Sequence, residues 1–277
     1  MISHRIIWKL ANALGRLWHR LDDRHRRIAE RNLDLAFGDE LSQEAKKAIC
    51  LKTFIHLSCV FLELPLMFRL NNDNLDRYIT FSGTEHVFSI LKKRKGILVM
   101  ASHFGNWELM ALAISIRFRP YYVVMRPLDN PTLNKWVVRM RTRGGNEPLA
   151  KADSARRIIR LLRKGEAVAL LIDQNVDWYE GVFVPFFKEV ACTSKALATL
   201  ALRTDSLVLS AYNYREPDGR YHTVFQPEVD IIRSGDSAVD VERNTARFNG
   251  IIEGYVRKHP EQWFWLHQRW KTRPSRP

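Results

Sequence analysis

Residues 97–116 read ILVMASHFGNWELMALAISI, and how this stretch is divided decides the fold. Its length would suit a membrane span, since a helix across a bilayer needs roughly 20 mostly apolar residues. But His103, Asn106 and Glu108 sit at its centre, where burial in lipid is costly. The stretch reads instead as a buried strand over 97–101, a polar turn, and a helix over about 106–117. Gly105 permits the tight turn and Asn106 is a good helix N-cap. Glu108 then falls in the first helical turn, where the helix dipole favours an anion. A second apolar run, Cys59 to Phe68, is too short to span and carries Glu63 and Pro65.

Working outward, short apolar runs alternate with helical ones. YYVVM (121–125), AVALLI (167–172) and LVLSA (207–211) read as further buried strands. Helical stretches lie near 131–143, 153–164 and 194–204. This alternation predicts an α/β domain with a mostly parallel central sheet flanked by helices. YHTVFQ (221–226), after the Pro217-Asp218-Gly219 turn, is expected as an antiparallel edge strand. Helices are also expected over 24–36, 42–68 (with Ser42 as N-cap), 84–94 and 241–258, and a loop over 71–76. No internal repeat or linker divides the chain, so residues 23–277 are taken as one domain of the 277.

Residues 1–22 stand apart. Ile6, Ile7, Leu10, Leu14, Leu17, Trp18 and Leu21 recur at helical spacing, with Arg5, Lys9, Arg16, His19 and Arg20 between them. A basic amphipathic helix with two tryptophans reads as a membrane-associating, interfacial helix, with a surface helix docked on its own domain as the alternative. The segment lacks the unbroken apolar run and small-residue site of a cleavable signal. Lys and Arg number 44 against 30 Asp and Glu, a formal charge of +14. Such a surface attracts nucleic acid, anionic lipid or an acidic protein. Three cysteines, Cys50, Cys59 and Cys192, without CxxC or Cys/His spacing, argue against a disulfide framework or structural zinc.

The chemistry concentrates at the strand–turn–helix junction, since ligands in open α/β sheets bind at the carboxyl ends of strands. On one continuous helix, His103 and Glu108 would lie about 140° apart. With His103 in the turn they can meet, and the pair then suits general-base catalysis: Glu108 fixes the tautomer and His103 takes a proton from an attacking hydroxyl. The alternative is a core histidine satisfied by a nearby glutamate. No GxSxG nucleophile elbow is present, which favours direct attack by the acceptor over a covalent acyl-enzyme. Asp173 follows AVALLI and so also lies at a strand end.

Several blocks together resemble the bacterial lipid A biosynthesis acyltransferases, within the wider lysophospholipid acyltransferase superfamily. They are RRIAERNLDLAF (26–37), HFGNWE (103–108), VMRPLDNPTLN (124–134), RMRTRGG (139–145), LLIDQN (170–175), GVFVPFFKEVACTSKALATLALRT (181–204) and HPEQWFWLHQRWKTRP (259–274). The resemblance implies a glycerol-3-phosphate acyltransferase-like fold and an O-acyltransferase. No metal or cofactor is expected, because His103 and Glu108 lack a third ligand at a recognisable spacing and acyl transfer from a thioester needs no Lewis acid. The implied donor is an acyl group on acyl carrier protein, and the implied acceptor a hydroxyl of a phosphorylated glycolipid, the lipid A precursor. It places the protein at the cytoplasmic face of the bacterial inner membrane. His103 and Glu108 match the family's HX4(D/E) catalytic pair, while Arg141 and Asp173 match a further functional arginine and aspartate. Arg126 matches a motif arginine.

Arg126, Arg141, Asp173, Asn106 and Thr193 are therefore carried as substrate-binding candidates, Thr193 with a helix N-cap as the alternative. An Arg141–Asp173 ion pair is expected. Arg126, Arg139, Arg141, Arg143, Arg269, Lys271 and Arg273 would form a basic rim for acidic carrier, phosphorylated acceptor and anionic membrane surface. Phe104, Trp107, Val184, Phe186 and Phe187 are candidates for an acyl slot, with core packing as the alternative. The family's usual ATTT here reads Ala191-Cys192-Thr193-Ser194, its DxD-like stretch reads Asp173-Gln174-Asn175, and its N-terminal anchor is usually longer and more apolar. Two other functions compete: an acyltransferase for another lysolipid or glycolipid, with acyl-CoA as donor, and a non-catalytic basic membrane- or nucleic-acid-binding protein. The chain carries no RNP motif or zinc finger, so nucleic acid is not expected as a partner.

Overall fold

The computed structural model describes residues 4–125, 129–150 and 154–274. Three helices come first: α1 (His4–Leu21), α2 (Asp23–Phe37) and α3 (Gln43–Glu63), the last running on through a 3-10 turn to Arg69. Ser42 caps α3 as the sequence implies, its hydroxyl accepting the Ala45 N–H. The strands and helices that follow alternate: β1 (Ile79–Ser82), α4 (Thr84–Lys92), β2 (Ile97–Ala101), α5 (Trp107–Arg117), β3 (Tyr122–Met125), α6 (Pro131–Arg141), β4 (Glu147–Ala150), α7 (Ser154–Arg163) and β5 (Ala167–Leu171). A hairpin, β6 (Gly181–Phe186) with β7 (Glu189–Ser194), precedes α8 (Ala196–Thr204), β8 (Leu207–Arg215), β9 (Tyr221–Glu228) and α9 (Ser237–Val256).

Among the described residues the main sheet has seven strands in the order β1-β9-β8-β2-β5-β3-β4. Every neighbouring pair is parallel except β8–β9. The α/β class and the mostly parallel sheet are as the alternation of apolar runs predicts. β2 lies at the centre and all five of its residues are buried, because helices cover both faces of a parallel sheet. Successive side chains of β2 alternate between two cores. Leu98 and Met100 join the large core with α2, α3, α8 and α9, while Ile97, Val99 and Ala101 join the core under α4 and α5.

Three features differ from the sequence reading, the first being the β6–β7 hairpin, where no strands were expected. YHTVFQ is antiparallel to β8, but it is not an edge, because β1 pairs along its outer side. The four residues of β1 are too few to show a period. Likewise β4 carries Pro148 and gives no periodic signal, and its place at the sheet edge is where a strand proline is tolerated.

Helix α1 divides into three sectors at about 100° per residue. Ile7, Ala11 and Gly15 are buried against α3, and a Cβ on Gly15 would lie 2.5 Å from the Ile55 Cα, so the two backbones touch. Ile6, Leu10, Leu14, Leu17 and Leu21 form the adjacent sector and are exposed. Arg5, Lys9, Arg16 and Arg20 complete the circle. Large apolar side chains thus face outward and small ones inward. Gln43–Arg69 is long and apolar enough to cross a membrane, but 56 % of its most apolar window is packed inside the protein.

Candidate active site

Adjacent parallel strands in register bring the site together. Ala101 of β2 lies opposite Leu171 of β5, and His103 and Asp173 each come two residues later. The His103 Nδ1 stands 2.8 Å from Asp173 Oδ1, and the His103 backbone N–H donates to Asp173 Oδ2 at 2.9 Å. The indole N–H of Trp263 also donates to Oδ2, at 2.8 Å. Asp173 is 2 % exposed. Burial pushes its carboxyl up, but the facing histidine and the donors from His103 and Trp263 outweigh this and hold it below the ordinary carboxylate value. A charged Asp173 requires Nδ1 to carry a proton, which leaves Nε2 as the acceptor. The side-chain amide nitrogen of Gln174 lies 3.5 Å from that atom, and the rings of Trp107 and Phe264 flank the imidazole.

Glu108 does not brace His103, and this corrects the pairing expected from the HX4E spacing. Asn106 caps α5, its side-chain oxygen accepting the Leu109 N–H at 3.0 Å. Glu108 is then the second residue of the helix, and its carboxylate is taken by Arg141 at the end of α6. Arg141 Nε donates to Oε2 at 2.7 Å, its NH2 group donates to Oε1, and the Trp107 indole N–H donates to Oε1 at 3.2 Å. Burial would lower the guanidinium's pKa, but Glu108 raises it above the ordinary value. The expected Arg141–Asp173 ion pair is likewise replaced. The two carboxylates are exchanged: Asp173 serves His103 and Glu108 serves Arg141. The reason is register: β2 and β5 pair with Ala101 opposite Leu171, which sets Asp173 against the His103 ring and backbone N–H, while the Glu108 carboxylate is taken by Arg141.

Asn106 has a second duty. Its side-chain amide donates to Glu63 at 3.1 Å, and Glu63, at the end of α3, also accepts from Tyr221 at 2.8 Å and from Arg215. The Asn106 backbone exchanges hydrogen bonds with the Asn213 side chain, at 3.0 and 3.1 Å. Gly105 has φ +59°, and a Cβ there would meet the Asn213 carbonyl oxygen at 1.9 Å. Glycine is required at this position. The Gly105 carbonyl accepts from the His56 Nε2 at 3.0 Å, and burial pushes the His56 pKa down to about 4, so the ring is neutral. Asn106 is therefore buried within the turn's support. A small pocket, no larger than a water molecule or so, lies beside it, where Leu66, Met67, Leu70 and Leu109 meet Glu63 and Tyr221.

The remaining candidates separate. Arg126 lies outside the described residues. Thr193 does not cap α8; it belongs to β7, fully buried, where its hydroxyl accepts from Arg269 and from Asn249 at 3.0 Å. Arg269 does not belong to a basic rim. It is 0 % exposed, donates to the Cys192 carbonyl at 2.8 Å and lies over the Phe186 ring. Arg139, Arg143, Lys271 and Arg273 are exposed. Phe104, Val184 and Phe186 are core residues, whereas Trp107 is half-buried beside His103.

Glu63, Arg215 and Asn213 carry parts of this site without any sequence motif of their own; Trp263 lies within the HPEQWFWLHQRWKTRP block, but nothing in the sequence singled it out as a site residue. Glu63 had one signal, an acid in the apolar run FLELPLMF.

A family profile for the bacterial lipid A biosynthesis acyltransferases matches residues 1–272. The lipid A biosynthesis lauroyltransferase of Escherichia coli (strain K12) is 28 % identical over 276 residues, covering 99 % of this chain and 88 % of the relative. The palmitoleoyltransferase of the same strain is 26 % identical over 278 residues, covering 99 % and 87 %. A phosphatidylinositol mannoside acyltransferase of Mycolicibacterium smegmatis is 25 % identical over 211 residues, covering 75 % and 66 %. With its whole described fold inside the matched span, and a histidine–carboxylate pair at the tips of adjacent central strands, the chain belongs to the bacterial lipid A biosynthesis acyltransferase family and is an acyltransferase.

Proposed function

We propose that this protein is an O-acyltransferase that moves a fatty acyl group from an acyl carrier protein thioester to a hydroxyl of a lipid A precursor, at the cytoplasmic face of the inner membrane. One observation carries the mechanism: Asp173 accepts from His103 Nδ1, which leaves Nε2 as the base on a partly exposed ring. Nε2 takes the acceptor hydroxyl proton as the oxygen attacks the thioester carbonyl. The C–O bond forms, the tetrahedral intermediate collapses, and the C–S bond breaks. The imidazolium returns its proton to the leaving thiolate, so the products are an ester and the carrier thiol. Asp173 stabilises the imidazolium throughout.

The Glu108–Arg141 pair links the start of α5 to the end of α6, with a guanidinium that is partly exposed. Arg141 is suited to a phosphate or to charge developing on the carbonyl oxygen, and Glu108 fixes its plane. The exposed Arg139 and Arg143 extend the positive surface towards an acidic carrier and a phosphorylated acceptor. The outward apolar sector of α1, flanked by Lys9 and Arg20, favours attachment to an anionic bilayer surface.

The test is transfer by the purified protein with acyl carrier protein or CoA as donor carrier, offered a lipid A precursor or a phosphatidylinositol mannoside. Ester formation on the lipid A precursor from the carrier protein thioester, lost in His103→Ala, is the expected result. Full activity in His103→Ala rules out the mechanism. Preference for the mannoside, which the mycobacterial relative's name supports as a second reading, rules out the acceptor.

A further inference from the structure

The Asp173 carboxylate is shut away from water, so protein donors alone set its orientation. Oδ2 accepts two of them, the His103 backbone N–H and the Trp263 indole N–H. Oδ1 faces His103 Nδ1. The backbone donor comes from the same residue as the ring, so it cannot by itself fix the plane of the carboxylate relative to that ring. The indole can. It approaches from a different segment, and an indole nitrogen only donates.

That segment is tied to the turn it serves. Gly105 N–H donates to the Gln262 carbonyl at 2.9 Å, Phe264 N–H donates to the His103 carbonyl at 3.0 Å, and Phe104 and Trp263 form an antiparallel bridge between these two bonds. Trp263 is 2 % exposed. Its ring is wedged edge-on by Trp265 at 4.6 Å and by Phe186 at 5.5 Å, so it has one rotamer.

We propose that Trp263 is a positioning residue for the acyl transfer. Its indole N–H holds Asp173 with Oδ1 turned to His103, and so keeps the imidazole as the Nδ1–H tautomer with Nε2 as the proton acceptor. The role rests on the general-base reading of His103. Without the indole, the carboxylate is held only by the two donors of His103 itself, so its plane loosens, the Nδ1 bond weakens, and the second tautomer gains population. A tryptophan that only fills the core would show none of this.

Two substitutions separate the roles. Trp263→Phe removes the N–H and part of the ring. Replacing Trp263 with β-(3-benzothienyl)alanine exchanges the N–H for sulfur and keeps the shape. For the isostere we expect kcat to fall about 10- to 100-fold, the loss of one hydrogen bond to a charged group, with KM within roughly twofold. The His103 ring 15N shifts should move from the Nδ1–H pattern to a mixture. A folded isostere with unchanged kcat and an unchanged Nδ1–H pattern overturns the proposal. His103→Ala and Asp173→Asn run beside it: if they lose activity while the isostere does not, the positioning role alone fails, and if they keep activity the base falls and the positioning role with it. In the unsubstituted protein the Trp263 indole proton should resonate downfield and exchange slowly. An ordinary, fast-exchanging signal overturns the hydrogen bond even if neither variant folds.

Discussion

Asp173→Asn puts the exchanged carboxylates to the sharpest test. The amide has one acceptor atom and one donor group where the acid has two acceptors. Oδ2 lies within 2.9 Å of two N–H donors, one from the His103 backbone and one from Trp263. The amide must therefore keep its oxygen there, which places the NH2 group at the Oδ1 position, facing His103 Nδ1. Nδ1 is forced to accept, the ring becomes the Nε2–H tautomer, and no base faces the acceptor hydroxyl. General-base catalysis is worth about two to four orders of magnitude; because the tautomer is inverted rather than merely freed, the loss in kcat should fall near the upper end, about 10³- to 10⁴-fold. Single-turnover acyl transfer measures the rate, and 15N shifts of His103 report the tautomer. A variant within tenfold of wild type, or one whose ring keeps its proton on Nδ1, refutes the assignment. Stability supplies an independent check. The folded carboxyl is held below its ordinary value, so it adds stability above about pH 4 that is lost as the pH falls through the depressed folded value. Asp173→Asn should flatten that part of the acid unfolding profile.

Four further outcomes follow from the same geometry. Glu108→Gln and Arg141→Met should be non-additive, with a coupling of about 0.5–3 kcal/mol in a double-mutant cycle on kcat/KM, and Glu108→Gln should leave the His103 tautomer unchanged. Gly105→Ala should destabilise by about 3 kcal/mol or more in denaturant unfolding, because the new Cβ meets the Asn213 carbonyl at 1.9 Å in a left-handed backbone. Leu14→Glu with Leu17→Glu, both on the outward sector of α1, should cut binding to anionic vesicles more than tenfold in flotation while kcat on detergent-solubilised acceptor stays within about twofold. His56 and His267 are both pushed down to about 4 by burial. Between about pH 6.5 and pH 4 the unfolded chain binds protons that the folded one does not, so stability should fall on acidification by up to about 1.4 kcal/mol per pH unit per histidine; His56→Gln should remove its share of that slope.

The class of fold and the address of the site were legible without coordinates. Apolar runs of strand length alternating with helical periods imply a parallel sheet covered on both faces, and β2 is buried along its whole length as that requires. The polar turn after β2 stood out as the candidate site, because His103, Asn106 and Glu108 interrupt a stretch otherwise apolar enough to be buried. Local grammar also placed Asn106 as the cap of α5 and Ser42 as the cap of α3. Less was readable where an element was short. β1 and β4 are four residues each, too few for a period to show, and one of them converts the presumed edge strand β9 into an interior one.

Sequence alone thus determined which residue types stand at the tip of the central strand and that the apolar N-terminal helix is two-sided. Which carboxylate serves the histidine was settled only by tertiary structure. Spacing along the chain offered Glu108, five residues away, whereas strand register brought Asp173 from seventy residues away into contact with the ring and left Glu108 to Arg141. The same holds for α1, whose small residues turned inward and whose leucines turned out. The physical reason is shared. Helical and strand periodicities are local and survive in the sequence, but a hydrogen-bond partner is chosen by pairing between elements, and that register is set by how the whole sheet closes.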